Sequence, residues 1–162
     1  MTRIAVVAMG EMGSGVAARL AERGAKVMTS VAGRSAASLK RAQDAGVATL
    51  DDAKLIAEAD LFLSIVPPHA AADTAVRFLP LIAKAERKPV YIDCNAIAPQ
   101  TLLGFAKSFS DSGVSLIDAS IIGAAPKADG SGPRFYMSGA MTNEAATLER
   151  FGLDTRVLSE NL

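Results

Sequence analysis

Short apolar runs alternate with longer segments of helical periodicity along the whole chain. Such runs predict strands over residues 3–8, 26–31, 48–50, 61–66, 90–93, 114–117, 135–138 and 156–158. Between the first two runs, Val16, Ala17 and Leu20 recur at the spacing of one helix face. This alternation predicts an α/β fold, with a doubly wound, mainly parallel sheet and helices on both faces.

Residues near the apolar segments predict where several helices begin and end. Gly24 is a suitable stop for the first helix. Ser35 is a suitable N-cap for a second helix, which is predicted to end at Gly46. Asp51 or Asp52 is expected to cap a short third helix.

Proline marks the boundaries in the second half of the chain. A helix is expected from about His69, kinked or broken near Pro80. Pro99 fits the first turn of a helix that ends before Gly113. Residues 121–133 are predicted to form one long irregular loop, and loops of that length often carry function.

Composition narrows the class of partner. The 162 residues suit a single domain, and 17 Lys and Arg against 17 Asp and Glu leave no net charge, so neither a nucleic-acid surface nor a membrane patch is indicated. A small-molecule substrate is therefore expected. The single cysteine, Cys94, cannot form an internal disulfide, and the first apolar run is too short for a membrane span, which together predict a cytoplasmic protein. No Cys and His spacing indicates a metal site.

Residues 4–15, IAVVAMGEMGSG, predict a buried strand that turns directly into a helix over a bound pyrophosphate. Gly10 would let the backbone approach the phosphates, and Gly13 would let the helix pack closely on the strand. Helix N-termini also favour anions. The first glycine of the usual G-x-G-x-x-G pattern is replaced by alanine, so a merely tight turn remains the alternative. The predicted cofactor-binding residues of this turn are Ala8, Gly10, Glu11, Met12 and Gly13.

The segment after the second predicted strand favours a phosphorylated ribose. No acidic residue occurs between Gly24 and Asp44, where an NAD-specific fold usually has one for the ribose 2′-hydroxyl. Gly33, Arg34 and Ser35 stand there instead, and a guanidinium pairs well with a 2′-phosphate. NADP(H) is therefore predicted over NAD(H). The alternative is a solvated loop arginine.

Residues just after the fourth and fifth predicted strands are expected to face the nicotinamide half of the cofactor, since ligands bind at the carboxyl ends of parallel strands. These residues are Val66, Pro67, Pro68 and Asn95. For Asn95, an Asx-type turn that ends the strand is an equally good interpretation.

Taken together, these segments resemble the N-terminal domain of the β-hydroxyacid dehydrogenases, the group that includes 6-phosphogluconate and 3-hydroxyisobutyrate dehydrogenases. The motifs that carry the resemblance are the glycine turn, Gly33-Arg34-Ser35, Ile65-Val66-Pro67-Pro68, Asp93-Cys94-Asn95-Ala96 with Pro99, and Asp118-Ala119 leading to Gly123. They look most like the phosphogluconate-dehydrogenase-like branch of bacterial oxidoreductases.

The resemblance implies substrate contacts after the sixth strand, from Ser120, Ile122 and Gly123. Better-known members have a serine where this chain has Ile122, so their usual substrates are not implied. The family's catalytic lysine lies on a helix beyond Leu162, in an all-helical C-terminal domain that also completes the dimer. No catalytic residue is therefore assigned here.

The resulting hypothesis is that residues 1–162 form a Rossmann-type NADP(H)-binding domain. It would belong to an oxidoreductase that transfers hydride between nicotinamide and a small hydroxyacid-like, amine or imine substrate. The alternatives are a non-catalytic NADPH-binding sensor or regulatory module and, with less support, a methyltransferase.

Overall fold

One mixed sheet of eight strands organises the chain in the computed structural model, which describes residues 1–30, 32–140 and 143–162. The strands are β1 (Arg3–Val7), β2 (Lys26–Ser30), β3 (Ala48–Leu50), β4 (Leu61–Ser64), β5 (Val90–Asp93), β6 (Leu116–Ile122), β7 (Arg134–Ser138) and β8 (Asp154–Ser159). Each lies at or beside a predicted strand. Val31, the last residue of the predicted second strand, lies outside the described residues.

Helices cover both faces of this sheet. They are α1 (Glu11–Glu22), α2 (Ala36–Asp44), α3 (Asp52–Glu58), α4 (Ala71–Lys84), α5 (Pro99–Asp111) and α6 (Asn143–Arg150), with a single 3₁₀ turn over Pro68–Ala70. One apolar core lies between the sheet and α1, α2 and α6, and a second lies under α3, α4 and α5. The prediction of a doubly wound α/β fold is confirmed.

The strand order is β3-β2-β1-β4-β5-β6-β7-β8, and within it the β6–β7 pair is antiparallel while the other neighbours are parallel. From β1 the chain moves outward to β2 and β3, then crosses back to place β4 on the other side of β1. The order therefore reverses between β1 and β4. In open α/β sheets, ligands bind in the crevice at the carboxyl ends of the strands at this point.

Several predicted helix boundaries agree with the structure. The Ser35 hydroxyl accepts from the backbone N–H of Ser38 at 3.2 Å, and the Asp51 carboxylate accepts from that of Lys54 at 2.9 Å. Gly24, with φ of +94°, follows the end of α1, as a helix stop should. Local capping chemistry thus fixes these ends.

One boundary prediction was wrong, and of the predicted kink or break near Pro80 the break is excluded. Strand β6 does not end at 117 but continues to Ile122, because it pairs with β7 as far as Ile122 opposite Arg134, so the irregular loop is 123–133. Helix α4 is not broken at Pro80. Proline removes the bond to the carbonyl four residues earlier, that of Val76, and Val76 and Pro80 lie on the exposed side of α4, where water can reach that carbonyl.

Among the described residues, no helix is long and apolar enough to cross a membrane.

Candidate functional site

The ends of three neighbouring strands are tied together at the crevice. The backbone N–H of Ala8 donates to the carbonyl of Ile65 at 3.0 Å, which joins the segments that follow β1 and β4. The backbone N–H of Val66 donates to the side-chain oxygen of Asn95 at 2.7 Å, which joins those that follow β4 and β5. The structure thus brings the predicted glycine turn, Val66–Pro68 and Asn95 to one edge of the sheet.

The glycine turn has the form expected of a strand that passes directly into a helix. A Cβ added to Gly13 would lie 1.9 Å from the carbonyl oxygen of Ala8, so this residue allows the close packing that the sequence predicts. Gly10 is the N-cap of α1 and supplies no side-chain cap, so the first-turn N–H groups of α1, those of Glu11 and Met12 included, lack a side-chain acceptor. A Cβ added to Gly10 would meet no atom within 4 Å. The turn therefore combines an open surface with free helix N–H donors.

Two arginines converge at the end of β2. Arg77, from α4, forms a double hydrogen bond to the Asp52 carboxylate, at 2.8 and 2.9 Å. The Asp52 carboxylate also accepts a hydrogen bond from the buried hydroxyl of Ser30, the last residue of β2. Arg34 lies beside this group, since Arg77 and Asp52 both act on its charge.

The surroundings of Arg34 disfavour its positive charge. Partial burial, and secondarily the guanidinium of Arg77, lower the pKa of Arg34, while Asp52 acts in the opposite direction. The Arg34 Nε is buried and has no hydrogen-bond partner among the described residues. Asp52 pairs with Arg77, whereas no carboxylate among the described residues pairs with Arg34, so the site has capacity for a further anion.

Ser35 has the N-cap role that the sequence predicts for it. Its hydroxyl caps α2 and also donates to the Ser38 hydroxyl at 3.2 Å. Its direct contact with a cofactor stays a prediction, as do those of Gly33 and Arg34.

Asn95 is built into the protein. Its side chain is 4 % exposed, and its amide nitrogen donates to the Ser64 hydroxyl at 3.1 Å and to the Asp93 carboxylate at 3.2 Å. Its backbone N–H also donates to Asp93 at 3.1 Å, which is the Asx-type turn considered as the alternative. The amide therefore holds Val66 in place, and a direct bond to a ligand remains untested.

The same network encloses Asp93. Burial raises the pKa of its carboxyl to about 6, against the hydrogen bonds from Asn95, and Asp118 on the next strand acts in the same direction as burial. Burial likewise raises the pKa of the Cys94 thiol, as is typical of a cysteine that packs in the core.

The predicted substrate residues lie at the next strand along. Ile117 and Ala119 on β6 face the core under α1, so Ser120 and Ile122 face the opposite side. Ile122 is 61 % exposed at the strand end, and Gly123 follows with φ of +125°. These residues are one strand away from β5, and the contacts predicted for them are untested.

The structure adds two residues that the sequence analysis missed, Asp52 and Arg77. They are 22 and 47 residues from Ser30, and they reach the end of β2 because the crossover to β4 and the following helix lie beside it. No local motif marks either residue. Their position depends on how α3 and α4 pack.

Comparison with known proteins gives a family. A sequence profile described as the NAD binding domain of 6-phosphogluconate dehydrogenase matches residues 3–151. A search of curated proteins finds no match.

Solved structures with the same fold include conserved protein MTH1747, described as similar to 3-hydroxyacid dehydrogenases, with a TM-score of 0.83, 30 % identity and coverage of 98 % of this chain and 58 % of that one. The Mycobacterium tuberculosis 3-hydroxyisobutyrate dehydrogenase has a TM-score of 0.81 and 20 % identity, over 99 % of this chain and 55 % of that one. The Myxococcus stipitatus imine reductase, in complex with NADP⁺, has a TM-score of 0.79 and 18 % identity, again over 99 % and 55 %. A variant of that reductase is in complex with NAD⁺.

The chain thus spans little more than half the length of these proteins. The structural matches extend over the whole sheet of this chain. The family match includes the glycine turn and the ends of β2, β4, β5 and β6. The chain belongs to the family of NAD-binding domains of 6-phosphogluconate dehydrogenase.

Proposed function

We propose that this chain binds NADP(H) in preference to NAD(H), as the cofactor-binding part of an oxidoreductase. The observation that carries the preference is the buried Arg34 Nε, which has no partner among the described residues and lies near the Arg77–Asp52 ion pair. A 2′-phosphate would supply the missing acceptor and balance the second guanidinium.

The residues fit the rest of a dinucleotide. The uncapped start of α1 and the open space over Gly10 suit a pyrophosphate, which would accept from the first-turn N–H groups. Val66, whose N–H is held by the Asn95 side chain, and the adjacent Pro67 would form the wall for the nicotinamide half. When bound, the nicotinamide supplies or accepts the hydride, and the chain's part is to hold and orient it.

The substrate is proposed to be a small hydroxyacid-like compound, an amine or an imine, beside Ser120, Ile122 and Gly123. Ile122 would offer an apolar contact rather than a hydroxyl. We expect the 162-residue chain to bind nucleotide, and we propose a homodimer as its assembly.

Calorimetric titration with NADPH and with NADH tests the cofactor assignment. We expect Arg34→Ala to weaken NADPH binding about tenfold or more, because a charge-assisted bond of the kind it would make contributes about 1.5–3 kcal/mol. The affinity for NADH should change little. Arg77→Ala should also weaken NADPH binding, though less than Arg34→Ala does, because the negative charge of Asp52 then lacks its paired guanidinium.

Lys107→Ala is a matched control, since Lys107 is an exposed cation on α5 that pairs with Asp111. Equal affinity of the unmodified chain for both nucleotides, or an Arg34→Ala variant that binds NADPH normally, would refute the proposed preference.

A further inference from the structure

One guanidinium, that of Arg19 on α1, holds the loop that follows β6. Its Nη2 donates to the carbonyl oxygens of Lys127 at 2.8 Å and Ser131 at 3.3 Å. Its Nη1 donates to those of Gly130 at 3.3 Å and Gly152 at 3.4 Å. Arginine has five N–H donors in a planar fork and can hold several carbonyls at once. Arg19 thus binds the loop and the turn before β8 together.

The surface of α1 is shaped to receive this loop. A Cβ added to Gly15 would lie 3.1 Å from Cδ of Pro126 and 3.3 Å from Cβ of Ala125, so the loop rests directly on the helix one turn before Arg19. The missing side chain at Gly15 allows this contact.

The tip of the loop is itself a folded unit. The backbone N–H of Lys127 donates to the carbonyl of Ser131 at 2.9 Å, and that of Gly130 donates back to Lys127 at 3.1 Å. The Asp129 carboxylate accepts from the backbone N–H of Ser131 at 2.8 Å and from its hydroxyl at 2.6 Å. The three loop carbonyls that Arg19 contacts therefore belong to one hydrogen-bonded turn.

This loop connects the two halves of the candidate site. It begins at Gly123, directly after Ile122 on β6, and residues 124–127 form one wall of an open groove of about 400 Å³. Glu11 and Ser14, from the first turn of α1, line the same groove. One helix thus carries the glycine turn at its start and the bound loop farther along.

We propose that Arg19 is a positioning residue, which fixes loop 123–133 and the end of β6 relative to the glycine turn. The attachment of the loop stands on the contacts above. Its consequence, that nucleotide at the glycine turn and the loop hold one another in place, rests on the proposed function.

Limited trypsin digestion measures the attachment directly, because Lys127 is an exposed trypsin site whose own carbonyl is held by Arg19. We expect Arg19→Ala to speed cleavage after Lys127 about tenfold, since several bonds to a charged donor are lost and the loop opens more often. Arg19→Lys should restore part of the protection, because a lysine keeps the charge and one donor group.

Arg23→Ala is the control. Arg23 is the exposed C-cap residue of α1 and lies near Gly152, and it donates no hydrogen bond to the loop among the described residues. Urea unfolding of each variant separates loop opening from a general loss of stability. If the unmodified chain and Arg19→Ala are cleaved at one rate, the attachment is refuted. Should Arg19→Ala fail to fold, the uncharged Arg19→Gln takes its place, and equal cleavage rates of that variant and the unmodified chain would refute the attachment.

Saturating NADPH tests the coupling. It should slow cleavage after Lys127 in the unmodified chain about threefold. In Arg19→Ala it should not slow cleavage, although we expect calorimetry to show that this variant still binds NADPH. Binding without any change in cleavage of the unmodified chain would overturn the coupling. If calorimetry shows no binding of NADPH at all, the proposed function and the coupling fail together, whereas the attachment is decided by the rates without nucleotide.

Discussion

Gly10 and Gly13 have opposite surroundings although they stand in one turn. A Cβ at Gly13 would overlap the carbonyl oxygen of Ala8, at 1.9 Å, whereas one at Gly10 would meet no atom within 4 Å. The backbone of Gly10, with φ of −72°, is also open to other residues. The fold therefore requires Gly13, while Gly10 keeps a surface clear.

Gly13→Ala and Gly10→Ala separate these two demands. We expect Gly13→Ala to lower the free energy of unfolding by about 2–4 kcal/mol, because overlap with backbone outweighs the gain of about 1 kcal/mol in helix propensity. Gly10→Ala should change stability by less than about 1 kcal/mol and weaken NADPH binding about tenfold, since its methyl group occupies the phosphate side of the turn. Urea unfolding followed by circular dichroism and calorimetric titration give the two values. A Gly13→Ala variant as stable as the unmodified chain would contradict the close packing inferred at this residue.

Residues whose structural role depends on residues close to them in the sequence could be predicted from the sequence. Ser35 and Asp51 cap helices that begin at the next residue, and Gly13 contacts a carbonyl five residues earlier. Asp52 and Arg77 could not be predicted, because they meet Ser30 through the packing of separate helices. A search for charged residues along and just after β2 in the sequence therefore finds Arg34 but misses Asp52 and Arg77.

At the scale of elements, β1 to β5 were predicted within two residues at each end, because each is a short apolar run between turn residues. The end of β6 was missed since residues 118–122 mix polar and apolar side chains, and they are extended because β7 returns antiparallel beside them. Helix α6 received no prediction, as its eight residues bury little beyond Ala145 and Leu148. Pairing and packing with distant segments decided these cases.

The ends of β4 and β5 share a buried polar network whose titration makes stability depend on pH. The pKa of Asp93 is about 6 in the folded chain, against an ordinary value of 3.8, because burial disfavours the charged carboxylate. The folded state therefore binds the proton more tightly, and between these pH values the contribution of Asp93 to stability falls as pH rises. The raised pKa of Asp118 acts with the same sign.

Comparison of the unmodified chain with Asp93→Asn isolates this effect. Relative to the variant, the unmodified chain should lose about 2–3 kcal/mol of unfolding free energy between pH 4 and pH 7, at about 1.4 kcal/mol per pKa unit. Urea unfolding at four pH values across this range measures the difference. Asp129→Asn is the control for sign, because hydrogen bonds from Ser131 lower the pKa of Asp129, and that contribution is lost as pH falls. A difference for Asp93→Asn that does not vary with pH would refute the raised pKa.

The whole sheet arranges the candidate segments in a row. The order β2-β1-β4-β5-β6 sets the two arginines at one side, the glycine turn at the switch point, Val66 and Asn95 next, and Ser120 and Ile122 beyond them. An extended dinucleotide follows the same sequence of parts, from phosphorylated ribose through pyrophosphate to nicotinamide. A ligand in this row would contact the ends of strands across most of the sheet. Its binding should therefore stabilise the fold as a whole.

Thermal unfolding measures this stabilisation by the ligand. A ligand that binds the folded state alone, at about 100 times its Kd, stabilises it by about 2.7 kcal/mol, which for a chain of this size raises Tm by about 5–10 °C. Scanning calorimetry suits the measurement because the chain has no tryptophan. We expect NADPH to give the full shift and NADH at the same concentration a smaller one, and Arg34→Ala to reduce the NADPH shift toward the NADH value. A shift that is equal for the two nucleotides and insensitive to Arg34 would mean that the row of strand ends binds the shared dinucleotide parts and that the arginine pair is a structural ion network around Asp52.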